Sequence, residues 1–351
     1  MSGRLSQFSF DKVNTALTQE VKQRVKTTEK KLSMPNLMLT NWCNYKCPYC
    51  FGMDRMVPAV PKQAMSDETF LGILSWLDKT NYRRPIHLMG GEPTLHPKFE
   101  WIVDTLLERD FPITIFSNLA SEPAPLYAEK LGMLPIAWVV NVNPPYKWSE
   151  EQRDRIERAL AALGDRASIT FNVMPGEDDN FWALDLVRRF KLAPNIKVGF
   201  VLPTLTQANY ALADDEYGGV AGKVVELAKE AAKEDIVLQY ECGVASCAFT
   251  DEQLGILWQC GSQVRAGCCS HLDITPTGEV IYCLSLATVG SKPYSEFENY
   301  DAAKDWFEQR FAPYRKLGRK VECATCNLMS PEKCNGACLA KNLIGVKNLN
   351  L

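Results

Sequence analysis

Three thiols set close together open the argument. Asn41-Trp-Cys-Asn-Tyr-Lys-Cys-Pro-Tyr-Cys-Phe-Gly52 places Cys43, Cys47 and Cys50 in a Cys-x3-Cys-x2-Cys run, directly after the apolar segment Leu37–Thr40. Thiolates at this spacing can share one metal centre, and a cubane iron–sulfur cluster is a common client of short cysteine runs. A cubane has four irons, and this run supplies three thiolates. The fourth iron is left open, the way a catalytic rather than a structural metal site is built. A zinc knuckle is the alternative, but zinc ribbons pair two Cys-x2-Cys hooks, and the second hook here, Cys323–Cys326, lies far along the chain.

Two further groups carry chemistry. Gly90-Gly91-Glu92-Pro93 combines two residues that let a backbone approach closely or adopt positive φ with a carboxylate acceptor. Toward the C-terminus, Cys323-x2-Cys326-x7-Cys334-x3-Cys338 has the spacing of metal ligands, and Cys242, Cys247, Cys260, Cys268, Cys269 and Cys283 precede it. Ten of the 13 cysteines therefore lie after residue 240, dividing the chain into two regions of different chemistry.

The elements that must hold these groups alternate between short apolar strands and amphipathic helices. Strands are expected at Leu37–Thr40, Ile86–Met89, Ile113–Phe116, Ile136–Val142, Ile169–Met174, Ile196–Leu202 and Ile236–Tyr240. Ser66 is a good N-cap for a helix through Leu77, with Asp67 and Glu68 in its first turn. Pro97 suits the first turn of a second helix, in which Phe99, Ile102, Val103, Leu106 and Leu107 follow helical spacing. A helix over Glu150–Leu163 is capped by Ser149 and stopped by Gly164, and another spans Tyr217–Lys233. Such alternation argues for parallel β/α units, as an open sheet or a barrel. In either, sites form at the carboxyl ends of strands, where Cys43–Cys50, Gly90–Glu92, Asn118 and Asn143 fall. His87 and His96 flank the glycine motif and read first as hydrogen-bonded core residues. Thr275-Pro-Thr-Gly-Glu279 reads as a hairpin turn that brings Cys268 or Cys269 near Cys283.

The cysteine run with those gaps, followed by the glycine motif at the end of the second strand, resembles the radical S-adenosylmethionine (SAM) superfamily. The resemblance implies an α/β fold, a partial (β/α)6 TIM-like barrel over 36–240, after an N-terminal arm at 1–35. It implies a [4Fe–4S] cluster on Cys43, Cys47 and Cys50 whose unique iron binds the amino and carboxylate groups of SAM. Reduction then yields a 5′-deoxyadenosyl radical that abstracts hydrogen from a substrate carbon. Tyr49 matches the position that packs near the adenine, and Gly90, Gly91 and Glu92 match the motif that accepts hydrogen bonds from the SAM amino group. Asn118, after Ser117, matches a position that often contacts SAM. Asn141 and Asn143 stand where a Ser-x-Asp is more usual, and their roles stay open.

The later cysteines resemble the SPASM/twitch extension, here a small cysteine-rich C-terminal domain over 241–351. That extension binds one or two auxiliary [4Fe–4S] clusters, with Cys268, Cys283, Cys323, Cys326, Cys334 and Cys338 as ligands. The pattern departs from the usual one. The middle gap is seven residues instead of five, and no cysteine follows Cys338. Cys242, Cys247 and Cys260 can make up the number; left free, Cys242 or Cys247 can instead give a hydrogen atom to a substrate radical. The resemblance further implies an electron donor such as flavodoxin or ferredoxin and a peptide or protein substrate. The N-terminal arm is too short for a peptide-binding domain, which favours the alternative: oxidation or epimerisation of a small molecule such as a sugar or aminocyclitol. A plain iron–sulfur electron carrier would need neither the glycine motif nor a three-thiolate site.

Composition bounds the rest. A chain of 351 residues, 46% hydrophobic, is long enough for about two domains. A net charge of −3 carries no nucleic-acid footprint. The absence of an 18-residue apolar run or a signal-peptide layout points to a cytoplasmic protein without a membrane span, where cysteines serve metals or catalysis rather than disulfides.

Overall fold

A computed structural model describes residues 34–344 and 346, apart from 178–179, 242, 263, 265–266, 269–270, 316, 319, 330–333 and 335. The N-terminal arm, Cys242 and Cys269 thus lie outside the described residues, the arm but for Met34 and Pro35.

Seven parallel strands form the main sheet: β1 (Asn36–Thr40), β2 (Ile86–Gly90), β3 (Ile113–Ser117), β4 (Ile136–Asn141), β5 (Ala167–Val173), β6 (Asn195–Phe200) and β7 (Val237–Tyr240). Six helices make the crossovers: α1 (Asp67–Asp78), α2 (Phe99–Glu108), α3 (Ala124–Leu131), α4 (Glu150–Leu163), α5 (Trp182–Phe190) and α6 (Tyr217–Ala232). The result is an unclosed (β/α)6 sheet, a partial TIM-like barrel. On its other edge β8 (Asp273–Ile274) pairs in parallel with β1, and the antiparallel β9 (Glu279–Ile281) and β10 (Lys292–Pro293) extend it. The C-terminal segment therefore continues the barrel's own sheet.

Local chemistry sets the element ends. The Ser66 side chain accepts from the Thr69 N–H, and Ser149 and Gln152 form a full capping box at the start of α4. Pro97 falls just before α2, whose N-cap is Lys98. Strand periodicity of two sorts the side chains. Leu37, Leu39, Ile86, Leu88, Ile115, Val140, Ile169, Ile196 and Val198 are fully buried beneath the helices. The alternate residues line the concave face.

The C-terminal region is locked onto the barrel by aromatic packing. Among the described residues, α7 (Asp251–Gln259), α8 (Tyr300–Arg315) and α9 (Leu339–Leu343) complete the helices. The Trp76 Nε1–H of α1 donates to the Phe297 carbonyl at 2.9 Å, and its ring meets Tyr300 of α8 edge-on at 6.1 Å. Removing a buried tryptophan such as this costs about 3–5 kcal/mol. Among the described residues, no helix is long and apolar enough to cross a membrane.

Candidate active site

β1 delivers the chain into the cysteine loop, and one buried side chain closes that loop at its base. The Asn41 amide donates to the Pro61 carbonyl at 2.7 Å and accepts from the Gln63 N–H at 2.7 Å. Cys43, Cys47 and Cys50 are free thiols, half-buried within the loop. The Tyr45 N–H points at Cys43 Sγ from 3.3 Å and the Asn118 amide from 3.5 Å. Burial pushes the Cys43 thiol up to about 12, helped by Glu92, Cys47 and Cys50 nearby, and burial likewise raises Cys47 and Cys50. Three adjacent thiols that resist ionisation alone are what a cationic metal centre stabilises as thiolates. The donor set is soft, all sulfur, and so fits an iron–sulfur cluster.

The glycine motif holds this loop by close backbone approach. Gly90 has φ +146°, and a Cβ there would clash with the Thr40 carbonyl oxygen. A Cβ on Gly91 would clash with that of Trp42. The Gly91 and Glu92 N–H groups donate to those same carbonyls at 2.8 and 3.0 Å. Fully buried, the Glu92 carboxylate accepts from the Thr94 N–H, the Thr94 and Ser117 hydroxyls and the Asn118 N–H. Burial raises its pKa while these donors favour the charged form. Asn118 in turn donates its amide to Asn44 Oδ1 at 2.9 Å. Gly91, Glu92, Asn118 and Cys43 thus form one bonded unit at the carboxyl ends of three strands.

Tyr49 closes the other side. Its hydroxyl donates to Asn143 Oδ1, and both side chains face the Cys47 thiol. The loop after β6 reaches over: Asn209 donates to the Tyr49 carbonyl at 3.3 Å and to the Leu202 carbonyl at 2.7 Å, and the Tyr210 N–H donates to the Pro48 carbonyl at 2.8 Å.

Residues 37–144, which hold the cysteine loop, the glycine motif and Asn118, match the Radical SAM superfamily. The match lies over the segment that carries the candidate site, about a third of the chain. A similar curated protein is an S-adenosylmethionine-dependent nucleotide dehydratase of Thermoplasmatales archaeon (strain ISO4-H5), 30% identical over 26% of this chain and 31% of that one. A GTP 3′,8-cyclase of Ectopseudomonas mendocina (strain ymp) is 27% identical over 49% of this chain and 54% of that one. The chain thus spans about half or less of the curated relatives it matches. Among solved structures, Streptococcus suis SuiB bound to precursor peptide SuiA is similar over 99% of this chain and 82% of that one, with a TM-score of 0.64 and 16% identity. A histidine-tagged anSMEcpe with AdoMet bound covers 87% of this chain and 88% of that one, at TM-score 0.59 and 16% identity. Those likenesses are of fold.

In this partial barrel the concave face is open. Ala137 and Asn141 on β4 and Val237 and Gln239 on β7 are exposed on it. His87 is a hydrogen-bonded core residue at its floor: Nδ1 lies 2.8 Å from Asn36 Oδ1, and the ring packs on Phe116 and His271. Burial, His271 and Lys197 hold its pKa down at about 3. His96 is buried and bonded to the Met65 carbonyl at 2.9 Å, away from the thiols. On the wall, the Thr170 hydroxyl donates to Glu241 Oε1 at 3.2 Å.

The later cysteines fall into separate neighbourhoods. Cys338, buried at the N-cap of α9, is pushed up to about 12 by burial and the neighbouring Cys268. Arg315 ties the Cys268 carbonyl, at 3.0 Å, to the Tyr282 hydroxyl one residue before Cys283. Cys334 is raised by burial and by Cys247 and Cys323 beside it. Cys326 is exposed and caps the short helix-turn that holds Cys323. Cys260 caps α7 next to Lys229 and Tyr240.

Sequence reasoning missed Asn41 and Asn209. Only the strand-end position of Asn41 marks it; nothing in the local sequence marks Asn209, whose partner lies 160 residues away.

Proposed function

We propose that this enzyme modifies a peptide or protein, with Cys43, Cys47 and Cys50 holding the [4Fe–4S] cluster and Gly90, Gly91, Glu92 and Asn118 orienting SAM. Held there, the cluster and SAM would supply one-electron reductive chemistry, a 5′-deoxyadenosyl radical able to take hydrogen from a substrate carbon. The observation that carries the reading is the bonded unit that joins Glu92 to Cys43 through Asn118. It fixes the cluster loop and the SAM cradle relative to each other, the positioning on which such chemistry depends. Tyr49 lies against the adenine side, beside Asn143. The open concave face admits the substrate.

The peptide assignment draws on SuiB, whose fold this chain shares along nearly its whole length and which was solved with a precursor peptide. In the C-terminal region, Cys268, Cys283 and Cys338 hold one auxiliary cluster, and Cys323, Cys326, Cys334 and Cys247 the other. A flavodoxin or ferredoxin supplies the electron. A small-molecule substrate is the second reading, favoured by the nucleotide-enzyme names of the curated relatives.

The test is anaerobic reconstitution, with iron, sulfide and 5′-deoxyadenosine measured under reduction. The expected iron content is about twelve, falling to about eight when Cys43, Cys47 and Cys50 are all changed to Ala. Deoxyadenosine formation disappears in that variant. Mixed synthetic decapeptides stimulate it in the wild type, whereas sugars and nucleotides do not. Unchanged iron in the triple variant overturns the assignment of the cluster, and stimulation by nucleotides or sugars alone overturns the peptide substrate.

A further inference from the structure

Lys197 sits midway along β6, in register with Thr170 of β5 and Gln239 of β7 on the concave face. Its ammonium lies 5.8 Å from the ring of Phe116, which belongs to β3. Three strand spacings separate β3 from β6, about 14 Å in a flat sheet. The approach is possible because the sheet curves and both side chains project into the hollow it makes. The same charge reaches His87 and His271 at the floor. Lys197 is therefore a cation inside the barrel, half-buried. Among the described residues no carboxylate stands within ion-pair distance of it; its neighbours are an aromatic face and two imidazoles tied into hydrogen bonds. The opposite sign is held on the same wall by Glu241, through Thr170. Asn172, one layer above Thr170, lies across Gly199 and adds an amide.

A half-buried lysine whose neighbours are a ring and two imidazoles has no anionic partner among the described residues. A substrate carboxylate would complete it, in a charge-assisted bond of the strong class. The number of charges selects the kind of anion. The strand positions on the concave face carry this one lysine and no arginine, and Glu241 is beside them. A triphosphate, with about four negative charges, would meet Lys197, Lys304 whose charge also reaches His271, and a repelling carboxylate. A single carboxylate, with neighbouring N–H groups for Glu241, Thr170 and Asn172, matches the wall.

Resting on the peptide reading above, we infer that the substrate segment entering the barrel carries a carboxylate, bound by Lys197, while Glu241 accepts a backbone or side-chain N–H of the same segment. The carboxylate is that of an acidic side chain or of a peptide C-terminus.

Equilibrium dialysis on the reconstituted holoenzyme with SAM tests this, using radiolabelled N-acetyl-glutamate amide, N-acetyl-glutamine amide, N-acetyl-alanine and GTP as probes. N-acetyl-glutamate amide is expected to bind, the glutamine probe at least about tenfold more weakly. Lys197→Met should remove that preference and Lys197→Arg restore it, with iron content and melting temperature reporting that each variant is folded. Preference for N-acetyl-alanine assigns the carboxylate to a C-terminus and preserves the inference. Equal binding of the glutamate and glutamine probes overturns it and leaves the peptide reading standing. Binding of GTP in their place overturns both. Binding by none of the probes overturns the inference alone, since peptide stimulation of deoxyadenosine formation is read separately.

Discussion

The backbone N–H of Asn118 donates to Oε2 of Glu92 at 2.8 Å, and this bond joins the end of β3 to the glycine motif after β2. Among the described residues, all the partners of the Glu92 carboxylate are donors. Glu92→Gln puts an NH2 group against at least one of them, so a bond is lost and two donors face each other in a dry site. The expected loss of stability is about 2–3 kcal/mol. Because Asn118 also bonds Asn44, SAM affinity should fall with it. Urea unfolding together with SAM equilibrium dialysis checks both; a variant as stable as the wild type would show that the carboxylate is no structural node.

Glycines in this chain differ in what a methyl group would meet. Gly91→Ala drives Cβ into the Trp42 carbonyl, a backbone clash that the cysteine loop must move to relieve. Iron retention after reconstitution should drop, with a stability loss of about 1–3 kcal/mol. Gly222, inside α6, has open space around it. Gly222→Ala should stabilise the protein by about 1 kcal/mol, the helix-propensity difference. Opposite shifts in melting temperature for the two variants are the expected result.

How much was legible follows from where the information lies. The strands and the α1 and α4 caps are written in local periodicity and in Ser66 and Ser149, so they are readable within a dozen residues. The cysteine loop and glycine motif are readable because their chemistry is compact in sequence. The reason for Gly90 and Gly91 was legible only in part: close approach was expected toward a ligand, whereas the neighbours are the Thr40 and Trp42 carbonyls. Short helices such as α3 and α9 carry too few turns for a pattern. Asn209 and Lys197 act across the fold, and no local signal separates them from any surface Asn or strand Lys.

Asp273 gives a pH signature. It is buried beside Asn36, whose amide donates to it at 2.6 Å, and burial raises its pKa from 3.8 to about 7. An acid with a raised folded pKa keeps its proton in the native state while the unfolded chain loses it. Native protein then binds more protons between about pH 4 and 7, so this group makes stability fall as pH rises through that window. Below and above it the contribution is flat. Asp273→Asn should remove this decline. Urea midpoints at pH 5 and 7.5 should therefore lie closer together, relative to wild type, after allowing for the histidines. A variant whose midpoints keep the wild-type spacing would show that Asp273 titrates normally.

Cys247 separates two roles by its iron dependence. As a ligand beside Cys334, its change to Ser should cost part of one auxiliary cluster's iron, with Cys323→Ser and Cys334→Ser behaving alike. Cys260→Ser, next to Lys229 and Tyr240, should keep full iron. As a hydrogen-atom donor instead, Cys247→Ser would keep its iron and lose product while still forming deoxyadenosine. Iron analysis beside product analysis distinguishes these outcomes.

The loop after β6 connects the two halves of the chemistry. Lys341, three residues after Cys338, donates to the Leu212 carbonyl at 2.7 Å and pairs with Asp214 at 2.9 Å. From the same loop Asn209 and Tyr210 grip the backbone at Tyr49 and Pro48, between Cys47 and Cys50. A continuous bonded path thus runs from the α9 cysteine to the loop that carries Cys43, Cys47 and Cys50. Asn209→Ala removes two side-chain donations to main-chain carbonyls, at about 1 kcal/mol each, and leaves every thiol in place. Iron should then leave the SAM cluster several-fold faster under a chelator such as EDTA, while total iron after reconstitution starts at the wild-type value. Asn209→Asp, which keeps the acceptor for the Thr204 N–H but not the donor, should lose iron as fast as the alanine variant. Wild-type loss rates in both would mean that the cysteine loop is held by Asn41 and the glycine motif alone.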